Sequence, residues 1–179
     1  MLYTGKGDDG TTYFFGSKTR FAKDTPLAEA LGTCDELVSL LGFVKVKIRS
    51  ERSLIGEVQQ NLFIIQAELA GADKKIVEQK VKDMEERINA IEKKLPPIKT
   101  FFVPGANEKS ALYDLARTVA RRAERRVVAL NPETRFRNQV SGISKWSLAY
   151  LNRLSSLLYA LARLHAQKGG KVEKKPHYK

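Results

Sequence analysis

The sequence predicts an all-α protein, a five-helix up-and-down-type bundle preceded by a glycine-rich loop. Three observations carry the prediction. Apolar residues recur at three- and four-residue spacing in five separate stretches. No series of alternating strands competes with them, and Pro, Gly and short polar stretches punctuate the gaps. The chain of 179 residues is 42% hydrophobic and 29% charged, enough for one full core without disulfide help.

Each helix has a physical signature. Thr25 is a good N-cap and Pro26 suits the first helical position. Leu27, Ala30, Leu31, Cys34, Leu37, Val38, Leu41 and Val44 then form a stripe, so helix one is placed at 26–49. Gly32 and Gly42 lie inside it, each costing about 1 kcal/mol relative to Ala, which asks for a packing or functional reason. Helix two, 51–71, carries Leu54, Ile55, Val58, Leu62, Ile65 and Leu69, with Gly71 as its stop. Helix three, 74–95, carries Val77, Val81, Met84, Ile88, Ile91 and Leu95 on an otherwise charged surface, and Pro96-Pro97 ends it. Helix four, 108–130, buries Leu115, Ala116, Val119, Ala123, Val127 and Leu130, and Asn131-Pro132 stops it. A polar connection over 133–141 leads to helix five, 143–167. Before the first helix, a short extended piece is expected at Thr12-Tyr13-Phe14-Phe15. Residues 1–168 read as one domain and 169–179 as a basic, flexible tail.

Composition narrows the function. A single cysteine, Cys34, excludes an intramolecular disulfide and a thiolate zinc cluster, and two histidines leave little for an imidazole site. No apolar run approaches the roughly 18 residues of a membrane span, and the N-terminus lacks a signal-peptide core. A cytoplasmic location is therefore the expectation. The net charge is +12, all of it in the second part of the chain: 15 basic and 15 acidic residues run to Leu95, then 17 basic and 5 acidic. Such asymmetry implies an anionic partner, whether nucleic acid, a membrane surface or a polyphosphate.

Five constellations can carry chemistry. Thr4-Gly5-Lys6-Gly7-Asp8-Asp9-Gly10-Thr11-Thr12 has the glycines, hydroxyls and cation that cradle an anion, and Asp8 or Asp9 can face a phosphate-bound magnesium. It is not a Walker A motif, and such a segment is as readily a flexible loop. In helix four, Arg117, Arg121, Glu124 and Arg125 share one face, either a phosphate-binding fork or a solvated surface. Asn152 interrupts an apolar stretch of helix five; it would hold a nucleoside or satisfy a neighbouring helix. Asp35-Glu36 in helix one can pair with the arginines of helix four. Phe101-Phe102, after the proline pair, is more simply a core plug than a ligand wall.

In this order, the segments Tyr3-Thr4-Gly5-Lys6-Gly7-Asp8-Asp9-Gly10-Thr11, Lys23-Asp24, Ala30-Leu31-Gly32-Thr33-Cys34-Asp35-Glu36-Leu37, Phe101-Phe102-Val103-Pro104-Gly105, Arg117 through Arg126, and Tyr150-Leu151-Asn152-Arg153-Leu154-Ser155 resemble the ATP:cob(I)alamin adenosyltransferases of the PduO type. The resemblance implies a homotrimer with ATP at each subunit interface, and transfer of the 5′-deoxyadenosyl group of ATP to the cobalt of cob(I)alamin. It implies that residues 1–24 form a nucleotide-binding segment in which Thr4, Gly5, Lys6, Gly7, Thr11, Thr12 and Lys23 hold the triphosphate with magnesium. It implies that Arg121, Arg122, Ala123, Glu124 and Arg125 belong to the nucleotide site and that Asn152 holds the nucleoside end. Asp35 and Arg117 resemble the pair that shapes the cobalamin side, and Phe101 the aromatic that displaces the lower ligand of the corrinoid. A separate reductase, and an adenosylcobalamin-dependent enzyme receiving the product, are implied partners; nucleic acid and membrane are not. Three positions depart from the pattern: Ser156 stands where an Asp is usual, Val38 where Asn or Ser is usual, and Ala106 where a second Gly follows Pro-Gly. Two other readings compete, a basic helical nucleic-acid-binding protein and a non-catalytic sensor of ATP or a corrinoid.

Overall fold

The structure is a computed structural model that describes residues 2–130, 143–170 and 174–177. Among them are five α-helices: α1 (Pro26–Lys47), α2 (Arg52–Leu69), α3 (Glu78–Glu92), α4 (Glu108–Val128) and α5 (Lys145–Lys168). A two-stranded antiparallel ribbon, β1 (Thr11–Thr12) and β2 (Phe21–Ala22), precedes them, with Thr11 opposite Ala22. The extended piece expected at 12–15 is thus shorter and starts one residue earlier, because its register is set by a partner strand that local sequence does not announce. The expected stop at Asn131-Pro132 and the connection over 133–141 lie outside the described residues.

Local chemistry fixes the helix starts. The Thr25 hydroxyl accepts from Ala28 N–H ahead of Pro26. Asn107 and Ser110 form a reciprocal capping box on α4, and Ser144 caps α5 through Ser147 N–H. Each cap satisfies a donor that would otherwise be orphaned, typically worth about 1 kcal/mol. The third helix is shorter than 74–95. Ile76, fully buried, is pinned by its N–H to the Ser147 hydroxyl, and the chain becomes helical only afterwards, leaving Val77 as an exposed N-cap.

The middle of the bundle is α5. Its Leu151, Leu154, Leu157 and Leu158 are buried without remainder. The side chain of Asn61 on α2 donates to Tyr150 Oη at 2.9 Å inside the core, and Glu51 meets His165 at 3.1 Å at the other end. These contacts set α2 antiparallel to α5. Contacts of Ser147 with Ile76, Arg153 with Glu85 and Arg163 with Pro96 set α3 parallel to it. Asn107 Nδ2 donates to the carbonyl of His165, so α4 runs antiparallel. Helix α1 packs between α2 and α4.

The details of packing refine the expectations. Leu115 is 52% exposed, and Tyr113 and Ala120 take the buried face of α4 instead, a small rotation of the stripe. Gly42 has its packing reason, since a Cβ there would sit 3.3 Å from Gln59 of α2; Gly32 faces open space. The tail is not free throughout, because Val103 N–H donates to the Lys174 carbonyl at 2.8 Å.

Candidate active site

A cavity of about 630 Å³ opens between the segment after α3 and the exposed flanks of α4 and α5. Phe101, Arg117 and Arg121 line it together, with Ile98, Lys99, Thr100, Phe102, Ser155, Ser156 and Tyr159. The aromatic loop and the arginine face, far apart in sequence, therefore share one space.

The two phenylalanines part ways. Phe102 is tucked in, with the Arg163 guanidinium 5.2 Å from its ring centroid. Phe101 is 78% exposed, so it is no core plug. Its loop is fastened on both sides: Arg163 donates to the Pro96 carbonyl at 3.1 Å, Val103 N–H reaches Lys174, and Gly105 N–H donates to Asp114 at 3.2 Å. Gly105 has φ +92°, a left-handed turn that a side chain would strain. A large apolar ring thus stands exposed at the edge of the cavity on a loop tied down on both sides.

Arg117 lies 3.6 Å from Asp114, too long for a hydrogen bond, and its buried Nε has no hydrogen-bond partner. The guanidinium carbon is 5.8 Å from the Tyr159 ring centroid. Arg121 is exposed on the same face, and Arg125 donates back to its carbonyl. Arg122 and Arg126 turn the other way, onto α1: Arg122 pairs with Glu36, and Arg126 with Glu29 at 3.2 Å. Of the two acids on α1 it is thus Glu36 that meets α4, while Asp35 stays exposed. Asn152 is exposed rather than buried, and donates to Glu124 at 2.8 Å. Ala123 is fully buried in the core, so its methyl group cannot face a ligand. Its place in the run is set by packing.

The N-terminal segment is ordered by two cations. Lys23 Nζ donates to the Gly7 carbonyl at 2.8 Å, and a Cβ on Gly7 would come within 2.9 Å of that nitrogen. Arg20 bonds the Thr11 hydroxyl and the carbonyls of Lys6 and Thr11, and pairs with Asp9 at 3.4 Å. Asp9 also accepts from Thr11 N–H and Oγ1. The hydroxyl hydrogen bond, the largest effect, and the charge of Arg20 hold its carboxyl below its ordinary value. Sequence reasoning missed Arg20; a lone arginine nine residues from Thr11 carries no local signal. Thr4, Gly5 and Lys6 are exposed, while Thr11 and Thr12 are half-buried.

Among the described residues, no hydrogen bond or ion pair joins this segment to α4 or to the cavity. No three His, Cys, Asp or Glu side chains among them cluster as a metal cage. No helix among them is long and apolar enough to cross a membrane.

Residues 2–165 match the family model for cobalamin adenosyltransferase. The chain belongs to the cobalamin adenosyltransferase family. It is 37% identical over 172 residues to a corrinoid adenosyltransferase of Citrobacter freundii, covering 91% of this chain and 93% of that one. It is also 37% identical to the corrinoid adenosyltransferase PduO of the same organism, but spans only about half of that longer protein, 49%. Among solved structures, a phenylalanine-to-histidine variant of a PduO-type ATP:corrinoid adenosyltransferase from Lactobacillus reuteri, complexed with cobalamin and ATP, superposes with TM-score 0.88 at 29% identity. The match covers 98% of this chain and 96% of that one.

For a member of this family, the three departures fall unevenly. Ser156 lines the cavity. Val38 is buried, and its carbonyl accepts from Gln59. Ala106 borders the crevice beneath the aromatic loop.

Proposed function

We propose that the chain is an ATP:corrinoid adenosyltransferase, moving the 5′-deoxyadenosyl group of ATP onto the cobalt of cob(I)alamin. The observation that carries the assignment of the site is the shared cavity of Phe101, Arg117 and Arg121. It sets an apolar ring beside two guanidinium groups, the pairing that a corrinoid face and a triphosphate require together.

Cob(I)alamin is itself the nucleophile. A Co–C5′ bond forms with the cobalt electron pair, the C5′–O bond breaks, and triphosphate leaves with the bonding pair. The protein needs to hold the leaving group, set the angle of attack and keep water out. Arg121 and Arg125 face the phosphates, with planar forks suited to them. Thr4, Gly5, Lys6, Gly7, Thr11, Thr12 and Lys23 take the triphosphate, on a segment that Arg20 keeps folded. Arg122, already paired with Glu36, holds the run in register, and Glu124 and Asn152, already bonded to each other, receive the nucleoside. Asp8, exposed beside Gly5, would hold a phosphate-bound magnesium better than Asp9, whose carboxylate is committed to Thr11 and Arg20; the ion would neutralise part of the triphosphate charge. Phe101 presses on the lower face of the corrinoid and excludes its lower ligand, so cob(II)alamin becomes easier to reduce. Asp35 and Arg117 shape that side.

That the hydrogen bonds described for the N-terminal segment stay among residues 4–25 supports a homotrimer in which the segment of one subunit completes the site of the next. A separate reductase supplies the electron, an adenosylcobalamin-dependent enzyme receives the product, and the reaction belongs in the cytoplasm. Complementation tests the shared site. Lys23→Ala and Arg121→Ala should each be inactive alone, and subunits mixed after dissociation should regain activity. No recovery from mixtures shown to exchange subunits would place both residues in one subunit's site and refute the arrangement.

A further inference from the structure

We propose that Asp114 is a positioning residue, tying the aromatic loop to Arg117 so that Phe101 and the guanidinium keep a fixed spacing across the cavity. The inference rests on the proposed adenosyltransferase reading. Asp114 is not among the segments that carry the family resemblance, and it does not line the main cavity.

Its two oxygens serve different elements. Oδ2 accepts from Gly105 N–H at 3.2 Å, at the left-handed turn that closes the loop. Oδ1 faces Arg117 Nε at 3.6 Å. The carboxylate is only 13% exposed, and the crevice between loop and helices beside it holds about 10 Å³, room for one water at most. The loop is anchored at this point, and only three residues lie between Gly105 and Phe101. Burial raises the carboxyl's pKa, while Gly105 N–H and Arg117 favour its charged form. A charged group kept this dry needs both partners. The Arg117 contact is longer than a hydrogen bond, and Arg117 Nε is an orphaned buried donor. One carboxylate thus reads out both the loop that carries the ring and the cation opposite.

The test uses a signature that a purely structural residue would not move. With the full chain, ATP, magnesium and cob(II)alamin, electron paramagnetic resonance reports the fraction of cobalt that has lost its lower ligand. In Asp114→Ala that fraction should fall about tenfold, the scale on which outer partners of a reactive centre act, with ATP affinity unchanged. Asp114→Asn keeps an acceptor for Gly105 but loses the charge beside Arg117, and should fall by a smaller factor. A wild-type fraction in both variants, or in Asp114→Asn alone where Asp114→Ala does not fold, would overturn the proposal. So would a parallel loss of ATP affinity and melting temperature, which assigns Asp114 to the fold. Absence of the signal in the wild type would instead count against the adenosyltransferase reading itself.

Discussion

Asn152 on α5 donates its amide to Glu124 Oε1 on α4 at 2.8 Å, so the two helices are joined at the residues proposed to receive the nucleoside. Arg153 in turn donates to the Asn152 oxygen at 2.7 Å and pairs with Glu85 on α3. Both amide groups of this exposed Asn are thereby used, and its orientation is set before any ligand arrives. Asn152→Ala should raise KM for ATP up to about tenfold, since a neutral hydrogen bond to the nucleoside is worth about 0.5–1.5 kcal/mol. Its melting temperature should stay close to wild type, because exposed substitutions usually cost within about 0.5 kcal/mol. Steady-state kinetics beside a thermal melt checks both; an unchanged KM would remove Asn152 from the site.

Arg121 is exposed and lines the cavity, free of the α1 pairings that occupy Arg122 and Arg126. Arg121→Ala should lose ATP binding and rate together, by about 10²–10³-fold in kcat/KM, as for loss of a donor to a charged transition state. Arg121→Lys should recover only part, because a point charge replaces a bidentate fork. Near-wild-type turnover in the alanine variant would show that the α4 face is solvated surface.

Phe101→Ala should leave ATP binding and stability intact, since the ring is 78% exposed. It should impair the reaction started from cob(II)alamin and spare the reaction started from chemically reduced cob(I)alamin. Equal activity from both starting states would refute the role given to the ring.

Arg20 holds the turn of residues 6–11 within the proposed nucleotide segment. Arg20→Ala removes the bonds to Thr11, Lys6 and Asp9 at once. KM for ATP should rise by about tenfold, the range for residues that orient a binding group. The helical core contains none of these contacts, so the melting temperature should barely move. A large thermal loss with unchanged KM would make Arg20 a fold residue.

Stability should depend on alkaline pH through Cys34. Burial pushes this thiol from 9.0 up to about 12. The folded state then keeps a proton that the unfolded chain gives up, so stability is complete below pH 9 and is lost as pH rises through 9 toward 12. Tyr113 and Tyr150, raised chiefly by burial, add the same sign at higher pH. Cys34→Ala should flatten the loss between pH 9 and 12 in denaturant titrations. Parallel curves for the two proteins would show that the thiol is not the titrating group.

Much of the fold was legible because helical periodicity and capping are local. Thr25-Pro26 marks the true start of α1, and all five expected helices form within a few residues of their expected ends. What failed depends on partners distant in sequence. Ile76 delays α3 because Ser147, 71 residues on, holds its backbone. Leu115 looked buried by spacing, but a small rotation of α4 gives that place to Tyr113 and Ala120. In the site, Phe101, Arg117 and Arg121 do converge, though only the resemblance pointed to it; the residue types alone favoured a core plug. Asn152 interrupts an apolar stretch yet is exposed, since an apolar neighbourhood in sequence is not one in space; it satisfies the neighbouring helix through Glu124. Arg20 and Asp114 were invisible because each makes its contacts with residues several positions away, in part through their backbone groups, which residue type does not reveal.

The most direct test of the central claim is anaerobic. The protein is mixed with chemically reduced cob(I)alamin, magnesium and ATP, and the corrinoid spectrum is followed while triphosphate is assayed. We expect ATP-dependent formation of a light-sensitive Co–C product with one triphosphate released for each adenosyl group transferred. ATP bound without any adenosylcobalamin formed would contradict the account and make the chain a binding protein.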